Sequence, residues 1–325
     1  MRGYPARAKS QPPRRAKPLA QSRLSQARYL QHMSNPVSRR IALSTGLRYH
    51  VLEWGTDNPA LDHTVVLIHG FLDLAWTWEA VAQSALAQHF HLIAPDLRGH
   101  GDSDRVGPGG YYHFMDYLAD LEDVIAQLGR SRVSIVGHSM GGSVAAYYTG
   151  VYPSRVSKLA LLEGLGPPDS DWSAWPDRLS AWIAAWKRQR ERGGSKRYLS
   201  IEEAAARLRA TDPKLSVPMS QRLAEVSTVR TDDGRLIFKH DPLHLTPAPY
   251  LFMVDGARSL WQRITCPTLL VDGKDTEFRY SPEEAQRRQS VFPNARHVEL
   301  PDAGHMMQRH QPEQLAAILD EFLRT

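Results

Sequence analysis

The chain has 325 residues, of which 42% are hydrophobic, and this is enough for one large domain or two ordinary ones. No apolar run approaches the ~18 residues of a membrane span, and the single cysteine, Cys266, excludes disulfides within the chain, so we expect a cytoplasmic protein without a membrane span. The net charge of +5 comes from the N-terminal segment 1–40, which holds ten Lys or Arg and no acid, so the charge predicts no nucleic-acid partner.

The N-terminal segment 1–40 is rich in Pro, Gln, Ser, Ala and Arg and has no sustained apolar period. Such a composition cannot bury a core, and we predict a disordered basic extension. Two alternatives stay open. An acid-free, Arg-rich N terminus also resembles an organelle transit peptide, and Met33 would serve as a later start of the chain.

Beyond residue 40, predicted strands and helices alternate. In chain order the elements are a hairpin at 40–55, a strand at 64–70, a helix at 78–86, a strand from 91, a helix at 115–129, a strand ending at 138, a helix at 140–151, strands at 158–166 and 267–273, a helix at 281–291, a strand at 296–305 and a helix at 311–324. Continuous apolar strands between helices predict an α/β fold, with a mostly parallel central sheet covered by helices.

The stretch 167–262 interrupts this alternation. It contains helical patterns joined by Pro- and Gly-rich segments, and no strong strand pattern. We therefore predict an inserted helical cap at 167–262, with the core formed by 41–166 and 263–325.

A glycine-rich corner follows the apolar strand that ends at residue 138. Gly137, His138, Ser139, Met140 and Gly141 fit the G-x-S-x-G pattern, in which a sharp strand-to-helix turn lifts a serine hydroxyl clear of the sheet. The small flanking residues are needed because larger side chains would collide with the strand and the helix. The pattern predicts that Ser139 is a catalytic nucleophile.

A serine nucleophile needs a base to take its proton. The last predicted strand runs into a loop that contains His305, and we predict that this side chain is the base. His310, one helical turn further along the chain, is a poorer candidate.

Four motifs, in this order, make the chain resemble the α/β-hydrolase superfamily from about residue 41 to the C terminus. They are HGF at 69–71, DLRGHGDSD at 96–104, GHSMGG at 137–142 and AGHMMQ at 303–308. The resemblance implies a serine hydrolase of the capped α/β-hydrolase fold. It also implies that the backbone N–H groups of Phe71 and Met140 form the oxyanion hole, with Leu72 as a second choice for the first of them.

The resemblance leaves the acid of the triad open between two carboxylates. In the family it commonly occupies the last position of G-x-x-D after the seventh core strand, where this chain has Thr276, with Asp275 one residue earlier. A minority of the family uses an acid at the end of the sixth strand, where this chain has Glu163. We favour Glu163, because an ionised carboxylate at the end of an apolar strand needs a partner such as His305, and keep Asp275 as the alternative.

A serine at position 139 disfavours dehalogenase and epoxide-hydrolase activities, whose family members carry an aspartate there. It favours an acyl-enzyme mechanism on an ester, thioester or lactone with an apolar moiety, and no metal or organic cofactor is expected. Hydrolysis of a carbon–carbon bond, or a small-molecule receptor with a retained triad, are the alternatives. We predict that the small-molecule substrate contacts Trp76, Trp182, Trp186 and Met306; the tryptophans at 182 and 186 recur at helical spacing, which packing of the cap would also explain.

Overall fold

Ten strands and nine α-helices of four residues or more occur in the part of the chain that the computed structural model describes, residues 35–56, 61–192, 194–292 and 294–325. The strands are β1 (Val37–Ala42), β2 (Arg48–Trp54), β3 (Thr64–Ile68), β4 (His91–Pro95), β5 (Val133–His138), β6 (Val156–Leu162), β7 (Thr228–Arg230), β8 (Leu236–Phe238), β9 (Thr268–Gly273) and β10 (Ala295–Leu300). The helices are α1 (Asp116–Gln127), α2 (Met140–Val151), α3 (Trp175–Arg192), α4 (Ile201–Thr211), α5 (Val217–Ser227), α6 (Val254–Trp261), α7 (Pro282–Gln289), α8 (Met307–His310) and α9 (Pro312–Arg324).

Shorter helical pieces complete the elements. The segment 75–89 is helical throughout but irregular, with a 3₁₀ turn at Ala75–Trp78, α turns at Glu79–Val81 and Ala87–His89, and a π turn at Ala82–Leu86 between them. Further 3₁₀ turns lie at Pro153–Arg155, Trp172–Ala174 and Pro242–Leu245.

One central sheet contains eight of these strands in the order β1-β2-β4-β3-β5-β6-β9-β10. β1 and β2 are antiparallel, and β2 is antiparallel to β4, whereas all neighbours from β4 to β10 are parallel. Every residue of β3 and β5 is buried, because helices cover both faces of the sheet. The predicted α/β class with a mostly parallel sheet is confirmed.

Two apolar layers hold the helices on the sheet. One layer packs α1, α2 and α6 against one face, and the other packs the segment 75–89 and α9 against the opposite face. In α9 the buried residues Leu315, Leu319 and Phe322 recur at intervals of four and three, which places them on one side of the helix. The carboxyl ends of the parallel strands stay free of these layers, and loops gather there.

The first strand begins earlier than the sequence predicted. Most of the predicted basic extension, residues 1–34, lies outside the described residues, but β1 starts at Val37, within the segment assigned to that extension. Its basic residues are paired, since Arg39 bonds Glu53 on β2 and Arg40 lies 3.4 Å from Asp104. The predicted hairpin is thus present, but its first strand begins three residues earlier, at positions whose basic side chains match the composition of the extension.

The segment 167–262 contains α3 to α6 and also a small antiparallel ribbon of β7 and β8, which the sequence did not predict. Each of these strands has three residues, too few to show a period of two. α6 packs against α2, and its Trp261 is buried in the core. Within the described residues, none of the helices combines the length and the apolar character that crossing a membrane requires.

Candidate active site

Ser139 stands at the corner between β5 and α2 with a left-handed backbone, φ 53° and ψ −119°. Its N–H donates to the carbonyl of Leu162 on the neighbouring β6 at 2.9 Å. A Cβ at Gly137 would lie 2.5 Å from the carbonyl oxygen of Gly141 and 2.6 Å from Cα of Gly142, so only glycine allows strand and helix to approach this closely. The corner exists because these positions carry no side chain.

His305 follows β10 and reaches back to the serine. Its Nε2 lies 3.0 Å from Ser139 Oγ. The opposite ring nitrogen, Nδ1, lies 2.6 Å from Oε2 of Glu163. Because a carboxylate only accepts, Nδ1 donates to Glu163, and Nε2 is left with a lone pair for the hydroxyl of Ser139.

Glu163 occupies the first position after β6, again with a left-handed backbone, at φ 47°. Its side chain is 5% exposed, and three donors reach it: His305 Nδ1, the N–H of Gly273 at 2.9 Å and the hydroxyl of Thr276 at 2.9 Å. A buried carboxylate needs such partners to offset lost hydration.

Asp275, the alternative acid, faces another direction. Its carboxylate accepts from Lys214 Nζ at 2.7 Å and is 42% exposed. The hydrogen bond from Lys214 and its charge hold the pKa of this carboxyl below its usual range. Of the two carboxylates, Glu163 is the one that contacts His305.

His310 also turns away from the serine. Its Nε2 lies 2.8 Å from Asp212 on the inserted segment, and its Nδ1 accepts from the N–H of Gly304 at 3.1 Å. This histidine therefore braces the loop that carries His305.

The two N–H groups expected to form an oxyanion hole border the serine. Met140 is the first residue of α2, and an N–H at this position has no acceptor within the helix. A Cβ at Gly70 would lie 3.3 Å from Ser139 Cβ, so the loop that carries Phe71 runs directly against the serine. The N–H of Phe71 has no hydrogen-bond acceptor among the described residues, whereas the N–H of Leu72 donates to His100 Nε2 at 3.3 Å. Of Phe71 and Leu72, Phe71 is therefore the residue whose N–H is free to act as a donor among the described residues.

Buried polar side chains brace these loops. His69 accepts from the N–H of Leu97 at 2.9 Å and donates to the carbonyl of Gly70 at 2.7 Å. Asp96 accepts from the N–H groups of Ala75 and Asp102 at 2.6 and 2.8 Å. Burial raises the pKa of Asp96, but the hydrogen bond and charge of His50 outweigh burial and lower it below its usual range.

Sequence reasoning missed a second buried network, which joins the loop after β3 to the loop after β10. Arg309 pairs with Asp73 at 2.6 Å, and Gln308 Nε2 donates to His138 Nδ1 at 3.3 Å. His138 in turn donates from Nε2 to the carbonyl of His305 at 2.8 Å. Burial, with the nearby charge of His305, puts the pKa of His138 well below its usual value. His138 and Gln308 lie within the motifs described above and Asp73 and Arg309 just outside them, but no periodicity signals the contacts.

The predicted substrate contacts fall in separate places. Trp182 and Trp186 line a cavity of about 570 Å³ together with Tyr111 and His113, and neither Ser139 nor His305 is among its lining residues. Trp76 is half-buried and packs under the guanidinium of Arg222, 4.9 Å from its ring centroid. Met306 is half-buried beside His305, immediately before α8.

Two exposed aromatic rings lie on the loops around the candidate site. Phe278, which sequence reasoning did not single out, lies 4.4 Å from the ring of His305 and is 60% exposed. Phe71 is 48% exposed. Exposed rings of this size next to polar groups form an apolar surface at the candidate site.

His50, Asp96 and Asp102 bring three donor atoms within 4.8 Å of one another, close enough for a metal ion. Their atoms already have partners, since His50 Nδ1 lies 2.7 Å from Asp96 and Lys239 pairs with Asp102 at 2.7 Å. We assign these side chains to bracing of the loop after β4.

Comparison with known proteins gives concordant matches. A family model described as alpha/beta hydrolase fold matches residues 63–309. A Bacillus subtilis protein provisionally named 2-succinyl-6-hydroxy-2,4-cyclohexadiene-1-carboxylate synthase is 28% identical over 87% of this chain and 97% of its own length, and a serine hydrolase-like protein of Danio rerio is 27% identical over 83% of each chain. Among solved structures, a thioesterase domain from the curacin biosynthetic pathway matches with a TM-score of 0.76 and 25% identity, over 90% of this chain and all of its own.

Proposed function

Because the chain belongs to the α/β-hydrolase family, we propose that it is a serine hydrolase that cleaves an ester-type substrate through an acyl-enzyme. The observation that carries the proposal is the continuous line of contacts from Ser139 Oγ to His305 at 3.0 Å and from His305 to Glu163 at 2.6 Å. Each of the three side chains follows a parallel strand, at the edge of the sheet where ligands of α/β proteins bind.

In the acylation step, Ser139 Oγ attacks the substrate carbonyl carbon while its proton passes to His305 Nε2. The carbonyl oxygen becomes negative and accepts hydrogen bonds from the N–H groups of Phe71 and Met140, which need no reorganisation to meet it. The bond to the leaving group then breaks, and His305 returns the proton to the departing alcohol or thiol. Water repeats the sequence on the acyl-enzyme, releases the acid and restores the Ser139 hydroxyl.

Glu163 makes His305 competent for both transfers. By accepting from Nδ1 it selects the tautomer with a free lone pair on Nε2, and its negative charge stabilises the imidazolium that forms in each step. The carboxylate does not need to take up the proton itself.

Exposed rings on the loops at the candidate site and a separate apolar cavity support the substrate class. The exposed rings of Phe278, next to His305, and of Phe71, on the loop after β3, offer apolar contacts to a substrate. The cavity lined by Trp182 and Trp186 would hold an extended apolar moiety. The similarity to a thioesterase domain supports thioesters as members of the class beside oxygen esters.

We further propose that the segment 167–262 is a cap over this edge of the sheet. Its side chains bond the loops at the strand ends in three places: Lys214 with Asp275, Arg222 with Glu79 at 2.8 Å, and Asp212 with His310. These contacts support a position of the segment 167–262 over the serine.

The test is turnover of p-nitrophenyl esters and acyl thioesters of graded chain length by the wild type, Ser139→Ala and Ser134→Ala. Ser134 lies on the same strand, is buried and hydrogen-bonds His63, so Ser134→Ala is a matched control for loss of a hydroxyl. We expect the wild type and Ser134→Ala to turn over and to react with a fluorophosphonate probe, and Ser139→Ala to do neither.

Labelling of Ser139→Ala at the wild-type rate would overturn the nucleophile assignment. Labelling of the wild type without repeated turnover on any ester or thioester would favour a receptor, and turnover confined to carbon–carbon bonds next to a ketone would favour the other alternative.

A further inference from the structure

A threonine stands where the common family pattern would place the acid on the loop after β9, and it contacts the acid that β6 provides. Thr276 is buried, and its Oγ1 lies 2.9 Å from Glu163 Oε2. This is the same carboxylate oxygen that lies 2.6 Å from His305 Nδ1. A carboxylate only accepts hydrogen bonds, so the hydroxyl of Thr276 donates to it.

The direction of that hydroxyl is set by a further bond. The N–H of Phe278 donates to Thr276 Oγ1 at 3.2 Å and occupies one of its lone pairs. With that side of the oxygen engaged, the hydroxyl proton points to Glu163. The second carboxylate oxygen, Oε1, accepts from the N–H of Gly273 at 2.9 Å, so both oxygens of Glu163 are held by the turn at 273–278.

We propose that Thr276 is a positioning residue for the proposed reaction: its hydroxyl orients the Glu163 carboxylate so that Oε2 faces His305 Nδ1. The inference deepens the proposed function and rests on it. The threonine acts through Glu163 and does not touch the substrate.

The hydrogen bond from Thr276 also stabilises the negative charge of Glu163. A hydrogen-bond donor stabilises the Glu163 carboxylate most when His305 is neutral, because a neutral imidazole does not balance the negative charge of the carboxylate. Removal of the donor should therefore favour protonated His305, and the acidic limb of a kcat/KM profile should move to higher pH.

Other titratable groups around the pair do not obscure this limb. His138 lies beside His305, and burial puts its pKa well below the usual value. Tyr280 faces Glu163, and burial raises its pKa above 10. Asp275, on the same turn, has a pKa lowered by Lys214. Tyr280 and Asp275 therefore titrate outside the range from about pH 5 to 8 in which a histidine base is observed, and burial keeps His138 neutral to lower pH than an ordinary histidine.

The experiment compares Thr276→Val with Thr276→Ser and Thr268→Val in the full chain. Valine keeps the shape of threonine and removes the hydroxyl, and serine keeps the hydroxyl. Thr268 is a buried threonine at the start of β9 whose hydroxyl donates to the carbonyl of Cys266 at 3.1 Å, so Thr268→Val is the matched control.

With p-nitrophenyl butyrate, we expect Thr276→Val to lower kcat about tenfold with KM little changed, as suits a lost hydrogen bond to a charged group. The acidic limb of the kcat/KM profile should move to higher pH by about 0.5 to 1 unit. Thr276→Ser should restore most of kcat and the wild-type limb, and Thr268→Val should leave both unchanged. Melting temperatures establish that each variant is folded.

A second readout does not depend on turnover. The proton that His305 Nδ1 donates to Glu163 should give a low-field ¹H NMR resonance, identified by its loss in His305→Gln. We expect this resonance to move in Thr276→Val and to return in Thr276→Ser. A folded Thr276→Val with wild-type resonance, limb and kcat would overturn the inference, whereas absence of turnover and labelling in the wild type would overturn the proposed function alone.

Discussion

Ser139 and Glu163 share an unusual backbone that projects each side chain from the end of its strand. Their φ angles are 53° and 47°, a region that costs a non-glycine residue about 1–3 kcal/mol. The other described non-glycine residues with positive φ, Leu72 and Asp302, lie in the loops after β3 and β10. All four positions lie at strand ends or on loops that carry the candidate site residues. The strain is held in place by neighbouring strands, because the N–H of Glu163 donates to Val271 at 3.0 Å and that of Ser139 donates to Leu162.

At this scale the two candidate acids can be separated. Glu163→Gln keeps the size of the side chain but disrupts its role toward His305 Nδ1, and we expect kcat to fall by about 10⁴, the loss known for the corresponding Asp-to-Asn exchange in a serine protease. Asp275→Asn breaks only an exposed pair with Lys214, so its kcat should stay within about tenfold of wild type. Steady-state kinetics on one ester decides the matter, and the reverse order of the two losses would assign the acid to Asp275.

Two adjacent strand ends bring the candidate site together. β6 and β9 are parallel, with Leu162 opposite Val271, so the turns that follow them lie side by side. Glu163 then meets the N–H of Gly273 across the sheet. The β5–α2 corner stands beside β6, and its glycines set how closely the helix follows the strand.

The corner predicts contrasting effects of the same substitution. In Gly137→Ala the new Cβ would meet backbone atoms of Gly141 and Gly142 that cannot move without opening the corner. We expect a loss of about 3 kcal/mol or more in the free energy of unfolding. Gly256→Ala adds a Cβ with nothing within 4 Å, on an exposed position inside α6, and should gain about 0.5–1 kcal/mol from helix propensity. Urea unfolding measures both, and a Gly137→Ala protein as stable as wild type would show that the corner tolerates a side chain.

Across the whole molecule, the inserted segment docks on the core through a buried aromatic stack. His244 lies 3.8 Å from the ring of Tyr112 and 4.1 Å from that of His100. In the same contact, the N–H of Asp241 donates to the carbonyl of Gly99 at 2.7 Å. Burial lowers the pKa of His244 to about 4. This interface therefore needs neutral histidine.

The free energy of unfolding should consequently depend on pH. In the unfolded chain His244 binds a proton below about pH 6.5, whereas in the folded chain it does so only near pH 4, so acidification between these values favours unfolding. His244→Phe removes this contribution. Between pH 7 and 5 the variant should lose about 2 kcal/mol less than wild type.

His297, whose pKa is shifted in the opposite direction, serves as the control. The hydrogen bond from His297 to Asp272 raises the pKa of His297, so its contribution is present below pH 6.5 and is lost as the pH rises through the folded value. His297→Gln should therefore lose more stability than wild type on acidification, by a small amount because the pair is exposed. Equal pH dependence in His244→Phe and wild type would contradict the assignment of His244 as a buried neutral base.

The sequence by itself determined the α/β class and the position of the glycine corner. Apolar runs such as Val133–Val136 are buried on both faces in a covered parallel sheet. The glycines around Ser139 allow a strand and the following helix to approach closely, which the G-x-S-x-G corner explains locally. These features are local in the chain, so periodicity and residue size reveal them. The first residues of the edge strand β1 were assigned to the extension because their basic side chains match its composition, and β7 and β8 were too short to be recognised.

Tertiary structure alone decided which carboxylate contacts His305. Glu163 and Asp275 each follow a strand at the same edge, and both lie within reach of that loop by topology. The side chains diverge because Lys214, from the inserted segment, takes Asp275, while Gly273 and Thr276 hold Glu163 under the histidine. Each of these contacts joins residues 61 or more positions apart, and such pairs leave no periodic signal in a single sequence.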